Sequence, residues 1–168
     1  ELNPAIYASL EALGVFVIDA GTESQIADLA SLYKSLGKRT FALCDKQTDP
    51  AKAAIEAQVE RLFMHGEKGI EDLIIKNTTQ AALERFADAL DWPPHLLAKY
   101  PNPKANAIAA LKEYFGWSKG NWGIAEFIAQ CSEGEIPQWI REACITLKAV
   151  CDPPPPVEEG EADAGPKE

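Results

Sequence analysis

The segment Cys44-Asp45-Lys46-Gln47-Thr48-Asp49 sets a carboxylate directly behind the apolar, strand-forming run Thr40-Phe41-Ala42-Leu43-Cys44. A side chain in that position projects into the crevice where parallel sheets bind their ligands. Glu71 stands in a comparable place, after the strand-like Arg61-Leu62-Phe63-Met64 and at the start of the helix-forming Gly69-Ile70-Glu71-Asp72-Leu73. Carboxylates at the ends of neighbouring strands offer what a hard divalent cation requires, oxygens converging on one point with water and phosphate oxygens filling the remainder. Such an ion activates water and steadies a leaving oxygen. Each acid also has an ordinary structural explanation: Asp45 as a turn-forming or capping residue, and Glu71 as an acid favoured by the dipole of a first helical turn.

The elements that would position these acids follow from hydrophobic periodicity. Asn3 and Pro4 open an amphipathic helix with Ile6, Leu10 and Leu13 on one face. Val15-Phe16-Val17-Ile18 reads as a central parallel strand, buried on both faces, that ends at Asp19-Ala20-Gly21. A crossover helix over Glu23–Leu36, stopped by Gly37, joins it to the strand ending at Cys44, which makes one βαβ unit. A helix from Ala51 to Val59, the strand Arg61–Met64 and a helix from Gly69 complete an α/β domain over residues 1–77. From Thr78 the pattern is helical throughout, at about 79–91, 94–99, 103–116, 121–131 and 137–151, a helical subdomain over 78–151. Residues 152–168, with four consecutive prolines and an acidic end, are expected to be a disordered tail. The fold class expected is thus α/β, a small parallel sheet with flanking helices followed by an all-helical subdomain.

Composition narrows the function classes. No run approaches the roughly 18 apolar residues of a membrane span, and no cationic leader precedes an apolar stretch, so no membrane partner is expected. Four cysteines, Cys44, Cys131, Cys144 and Cys151, lack the paired spacing of a zinc site and sit in apolar segments. They read as reduced, buried thiols of a cytoplasmic protein. The net charge is −10 over 168 residues, and half of it falls in the last 17. A mildly acidic body gives no broad basic face for nucleic acid, so divalent cations or further chain would have to supply positive charge. His65 and His95 cluster neither with each other nor with cysteine and receive no role. The tryptophans at 92, 117, 122 and 139 read as core residues, with base stacking by Trp117 and Trp122 as the alternative.

The order of these pieces resembles Toprim domains, and more closely the C-terminal nuclease region of the OLD (overcoming lysogenization defect) family of ATP-dependent nucleases. The residues that carry the resemblance run from about Gly14 to Leu147. They are Asp19-Ala20-Gly21 after the first apolar run, Gly37-Lys38-Arg39 leading into Phe41–Asp45, Phe63-Met64-His65 before Gly69-Ile70-Glu71-Asp72-Leu73, Ser118-Lys119-Gly120, and Glu135-Ile136-Pro137. The resemblance implies a Toprim-like (Rossmannoid) sheet and endonuclease chemistry on DNA with two divalent ions, magnesium or manganese. Asp45 would match the metal-binding acid and Asp49 its partner, which in most Toprim proteins lies two residues on rather than four. Glu71 would match the downstream acid, and Lys119 a lysine that neutralises charge on the scissile phosphate. The family's opening strand and glutamate lie upstream of everything in this chain, as would its ATPase. No G-x-x-x-x-G-K-[ST] phosphate loop occurs here, so ATP would bind only in that upstream part, through which oligomers could also form.

Two rival readings stand beside this one. The first is a Toprim-like or flavodoxin-like module without catalysis that binds a partner protein through its helical half and acidic tail, in keeping with the acidic charge and the wide Asp45–Asp49 spacing. The second is a nucleotide site at Gly21 and the following helix, weakened by the acids of Asp19-Ala20-Gly21-Thr22-Glu23 where a phosphate would sit.

Overall fold

The computed structural model describes residues 10, 12, 14–118 and 123–151, and the chain is mixed α/β with helix predominating. A 3₁₀ turn at Glu23–Gln25 runs into helix α1 (Ile26–Ser35). Gly37 then takes a left-handed φ of 72°, and the amides of Gly37 and Lys38 bond back to the carbonyls of Lys34 and Tyr33. This paired closure satisfies the carbonyls a helix end leaves open, and glycine adopts the required conformation without steric cost. The chain emerges as strand β1 (Phe41–Cys44), crosses through α2 (Asp49–Glu56) and returns as β2 (Arg61–Met64).

The two strands are parallel, in the register Phe41↔Arg61 to Cys44↔Met64. Their amino ends are tied by the bidentate pair of Arg39 with Glu60, by Thr40 Oγ1 donating to the Gln58 carbonyl at 2.9 Å, and by the Glu60 amide donating to Thr40 O at 2.8 Å. The pairing runs past the strands at the carboxyl end. There the His65 amide donates to Cys44 O at 3.3 Å and the Lys46 amide to Glu67 O at 3.0 Å. Two four-residue strands are a marginal sheet by themselves. Helices α1 and α2 pack on one another and each on a strand, and burial of Ala30, Ala42, Ile55 and Phe63 supplies the apolar contact.

Helices α3 (Ile70–Asn77), α4 (Gln80–Ala89), α5 (Pro94–Lys99), α6 (Ala107–Trp117), α7 (Gly123–Ala129) and α8 (Gln138–Cys151) follow. The buried cluster joins Ile74 and Ile75 of α3 to Leu83 and Phe86 of α4, Leu111 and Phe115 of α6 and Phe127 of α7. Packing is therefore continuous across residue 77, where the sequence suggested a domain boundary. Within the cluster Phe86 meets Phe127 edge-on at 5.1 Å, and Phe115 meets Phe127 at 5.8 Å. Helix α4 begins at Thr79, whose hydroxyl oxygen accepts from the Ala82 amide at 3.3 Å, an N-cap of the usual kind.

Contacts divide the chain into two units, one of Asp19–Ala143 and one of Glu1–Ile18 with Cys144–Glu168. In the second unit, Val15–Ile18 is not the expected central strand. It has no regular structure, and Phe16 and Val17 are 81% and 80% exposed. The strand–helix–strand unit expected from residue 15 to 44 is accordingly absent among the described residues. The parallel crossover is instead the next one along, β1–α2–β2. An apolar run becomes a strand only where neighbours bond its backbone and cover its faces, and neither condition is met at 15–18. The thiols are free as expected, but Cys144 is exposed rather than buried, and the other three are partly covered. Most of the helix expected over Asn3–Leu13 and all of the tail 152–168 lie outside the described residues.

Candidate functional site

Because Cys44 is opposite Met64, the residues one step further, Asp45 and His65, leave the sheet side by side at its carboxyl edge. The His65 ring is 4% exposed and its Nε2 lies 2.8 Å from Asp45 Oδ1. Its other nitrogen, Nδ1, accepts the Glu67 amide at 3.3 Å. An imidazole nitrogen that accepts carries no proton, so the proton sits on Nε2 and is donated to Asp45. Trp139 packs edge-on against the ring at 4.9 Å and holds its plane. Asp45 itself is about one-third exposed, with a side-chain accessibility of 33%. One carboxylate oxygen is thus fixed from beneath by a buried histidine.

The other oxygen faces Gly69. A Cβ on that glycine would lie 4.0 Å from Asp45 Oδ2 and 2.7 Å from Glu71 Oε2. Gly69 is the residue before α3, and Glu71 belongs to that helix's first turn, with Oε1 withdrawn from solvent. Glycine therefore leaves open a space that both carboxylates border. The loop that carries Asp45 is stiffened around them, with Gln47 Nε2 donating to the Asp45 carbonyl at 3.0 Å and the Gln47 amide contacting Met64 Sδ at 3.5 Å. Glu67 is drawn away from the site by an ion pair with Lys76, and Asp72 by one with Lys112 at 2.7 Å. The hydrogen bond from Lys112 lowers the pKa of Asp72. Burial raises that of the Cys44 thiol, and the Asp45 charge adds to the effect.

Asp45 Oδ2 and Glu71 Oε2 each lie within 4.0 Å of the position a Cβ on Gly69 would take. Asp49 is exposed at the first residue of α2, ahead of Pro50, where an acid complements the helix dipole. Lys119 lies outside the described residues. Among the described residues no group of three or more His, Cys, Asp or Glu side chains is placed to hold a metal ion. Two carboxylates are the number a magnesium-like ion takes from a protein when waters and substrate phosphate oxygens complete its shell.

His65 was missed by sequence reasoning because it was sought in a cluster along the chain. The signal was in the register: two parallel strands of equal length, each followed at once by a titratable residue. At the earlier turn, Gly21 has a φ of 72°, but its amide donates to Asp19 Oδ1 at 2.8 Å, so the N–H a phosphate would need is already engaged. Trp117, expected in the core, is 51% exposed, and Trp122 lies outside the described residues. No helix among the described residues is long and apolar enough to cross a membrane. Compared with models of protein families, with curated proteins and with solved structures, the chain matches none.

Proposed function

We propose that this chain is the catalytic region of a metal-dependent endonuclease acting on DNA phosphodiester bonds, with Asp45 and Glu71 as its metal-binding carboxylates. The observation that supports this is that Asp45 Oδ2 and Glu71 Oε2 both border the space a Cβ on Gly69 would take, while Asp45 Oδ1 is held by a buried histidine. A bound magnesium or manganese ion supplies Lewis acidity toward the phosphate and a more acidic water. The chain's own residues do the rest. Asp45 and Glu71 bind, and His65 orients Asp45 in the way that histidines and carboxylates couple around metal sites. Asp49 and Lys119 keep the roles the Toprim and OLD resemblance implies, a metal-binding partner of Asp45 and a cation toward the scissile phosphate. DNA and an upstream ATPase of the same polypeptide are the partners this reading requires.

The test is nicking of supercoiled plasmid by the intact polypeptide with magnesium or manganese, alongside titration of manganese followed by proton relaxation. Asp45→Asn keeps an acceptor for His65 and so preserves the fold. It and Glu71→Gln are expected to lower both nicking and manganese binding at least 100-fold. Gly69→Ala, which pushes the Glu71 carboxylate aside, should fall between them and wild type. Equal nicking by wild type and Asp45→Asn would refute the assignment. The acidic charge of −10 favours a second reading, a module that binds a partner protein without catalysis. That module would bind no manganese at Asp45.

A further inference from the structure

Away from the carboxylates, the loop that enters α5 and the last turns of α6 enclose an open depression of about 650 Å³. That is within the range of small-molecule sites, roughly 300–1,000 Å³. Tyr114 is buried in it and lies between two indoles, Trp92 at 5.6 Å and 61°, and Trp117 at 6.0 Å and 41°. Tyr114 and Trp117 share a face of α6 because they are three residues apart. Trp92 is held by its own indole N–H, which donates to the Ala87 carbonyl at 2.8 Å, and Pro93 and Pro94 stiffen the loop that carries it. His95 lies on the far side of Trp117 at 5.4 Å. Core packing accounts for Tyr114 and Trp92, but not for an indole left 51% exposed beside a concave surface.

Among the described residues that line this depression, the one carboxylate is Asp91. No ion pair among the described residues neutralises Asp91. The lysines of the adjoining elements are already engaged, Lys99 with Glu113 and Lys104 with Asp88. Burial raises the Tyr114 pKa, and the negative charge of Glu126 raises it further. A phosphate-bearing ligand would meet repulsion here, whereas a cation would meet aromatic π faces and a carboxylate. A plain ammonium would lose water hydrogen bonds that aromatic walls do not replace, while a fully alkylated one has no N–H to satisfy.

We propose that Trp92, Tyr114 and Trp117, with Asp91, form a binding site for a quaternary ammonium group. The test is titration of the whole chain with choline, followed by tryptophan fluorescence and by the NMR signals of the indole protons, against 3,3-dimethylbutan-1-ol as its neutral isostere. Choline should bind about tenfold or more tightly than the alcohol, the scale expected when a cation is added to an aromatic site. Trp117→Ala and Asp91→Asn, both exposed positions, should each weaken choline at least severalfold with an unchanged circular dichroism spectrum. Tetramethylammonium should compete with choline. Equal binding of choline and the alcohol would overturn the proposal, reducing the depression to an apolar surface. So would binding of a single-stranded thymidine oligonucleotide that Trp117→Ala abolishes while choline has no effect, since the indole would then be a base-stacking platform.

Discussion

The sheet edge and the helical core of the Asp19–Ala143 unit are held together by different means. At the edge, order comes from directional bonds: amides crossing between two loops, a histidine whose two nitrogens are both engaged, and a glutamine clamping the carbonyl of Asp45. Apolar cover there is thin, with Leu43 of β1 54% exposed. In the core, order comes from close packing of rings and branched chains, and Ile74, Leu83, Leu111, Phe115 and Phe127 are all at most 1% exposed. Directional bonds fix where a carboxylate oxygen lies, and close packing makes the framework costly to unfold. A molecule built so separates what makes it stable from what makes it specific, and substitutions in the two regions should show different signatures.

The largest effect is expected from the core. Phe127→Ala removes a ring that touches both Phe86 and Phe115, and it should cost about 3–5 kcal/mol of unfolding free energy, read as a lower urea midpoint at unchanged slope. Divalent-ion binding by the fraction that remains folded should be unaltered. If ion binding fell in step with stability, the two regions would not be separable.

His65→Ala should show the opposite balance. It leaves Asp45 Oδ1 and the Glu67 amide without the partner they share, at a cost of about 1–3 kcal/mol for buried polar groups, less where water reaches Asp45. Manganese affinity should fall about 10–100-fold, the usual effect of removing a residue that orients a metal ligand. Gln47→Ala, which frees only the loop carbonyl, should do less on both counts. A His65→Ala protein with wild-type manganese affinity would show that the imidazole is merely core.

How much of this contrast is legible in the sequence depends on whether the cause is local. The helices are, because their apolar spacing and stop signals lie within a few residues. Arg61–Met64 is recovered with its bounds, and Gly37 ends α1 in the way its position suggests. Val15–Ile18 was misjudged because burial of a strand is conferred by its neighbours and not by its own apolar residues. Asp45 and Glu71 could be suspected singly from their places after strands. Both border the space at Gly69, whose φ of −166° is ordinary extended backbone and whose importance is the missing Cβ. His65 required the register of two strands at once, which no single segment contains.

The smallest effect is expected where a directional bond lies on the surface of the helical region. Arg85 on α4 makes two bonds of 2.9 Å to the Glu135 carboxylate, which also accepts from the amide and hydroxyl of Ser132 in a capping box. Led by the Arg85 hydrogen bond, these contacts lower the Glu135 pKa from 4.5 to about 2. A carboxyl whose pKa is depressed by folding contributes stability above its unfolded pKa and loses it as pH falls through the folded one. Wild type should therefore exceed Glu135→Gln in urea midpoint by a constant margin above about pH 5, and the margin should close as pH falls from 4.5 toward 2. Because the Arg85 side chain is half exposed, the margin should also shrink with added salt. A margin independent of both pH and salt would mean that Glu135 acts through the shape of its cap rather than its charge.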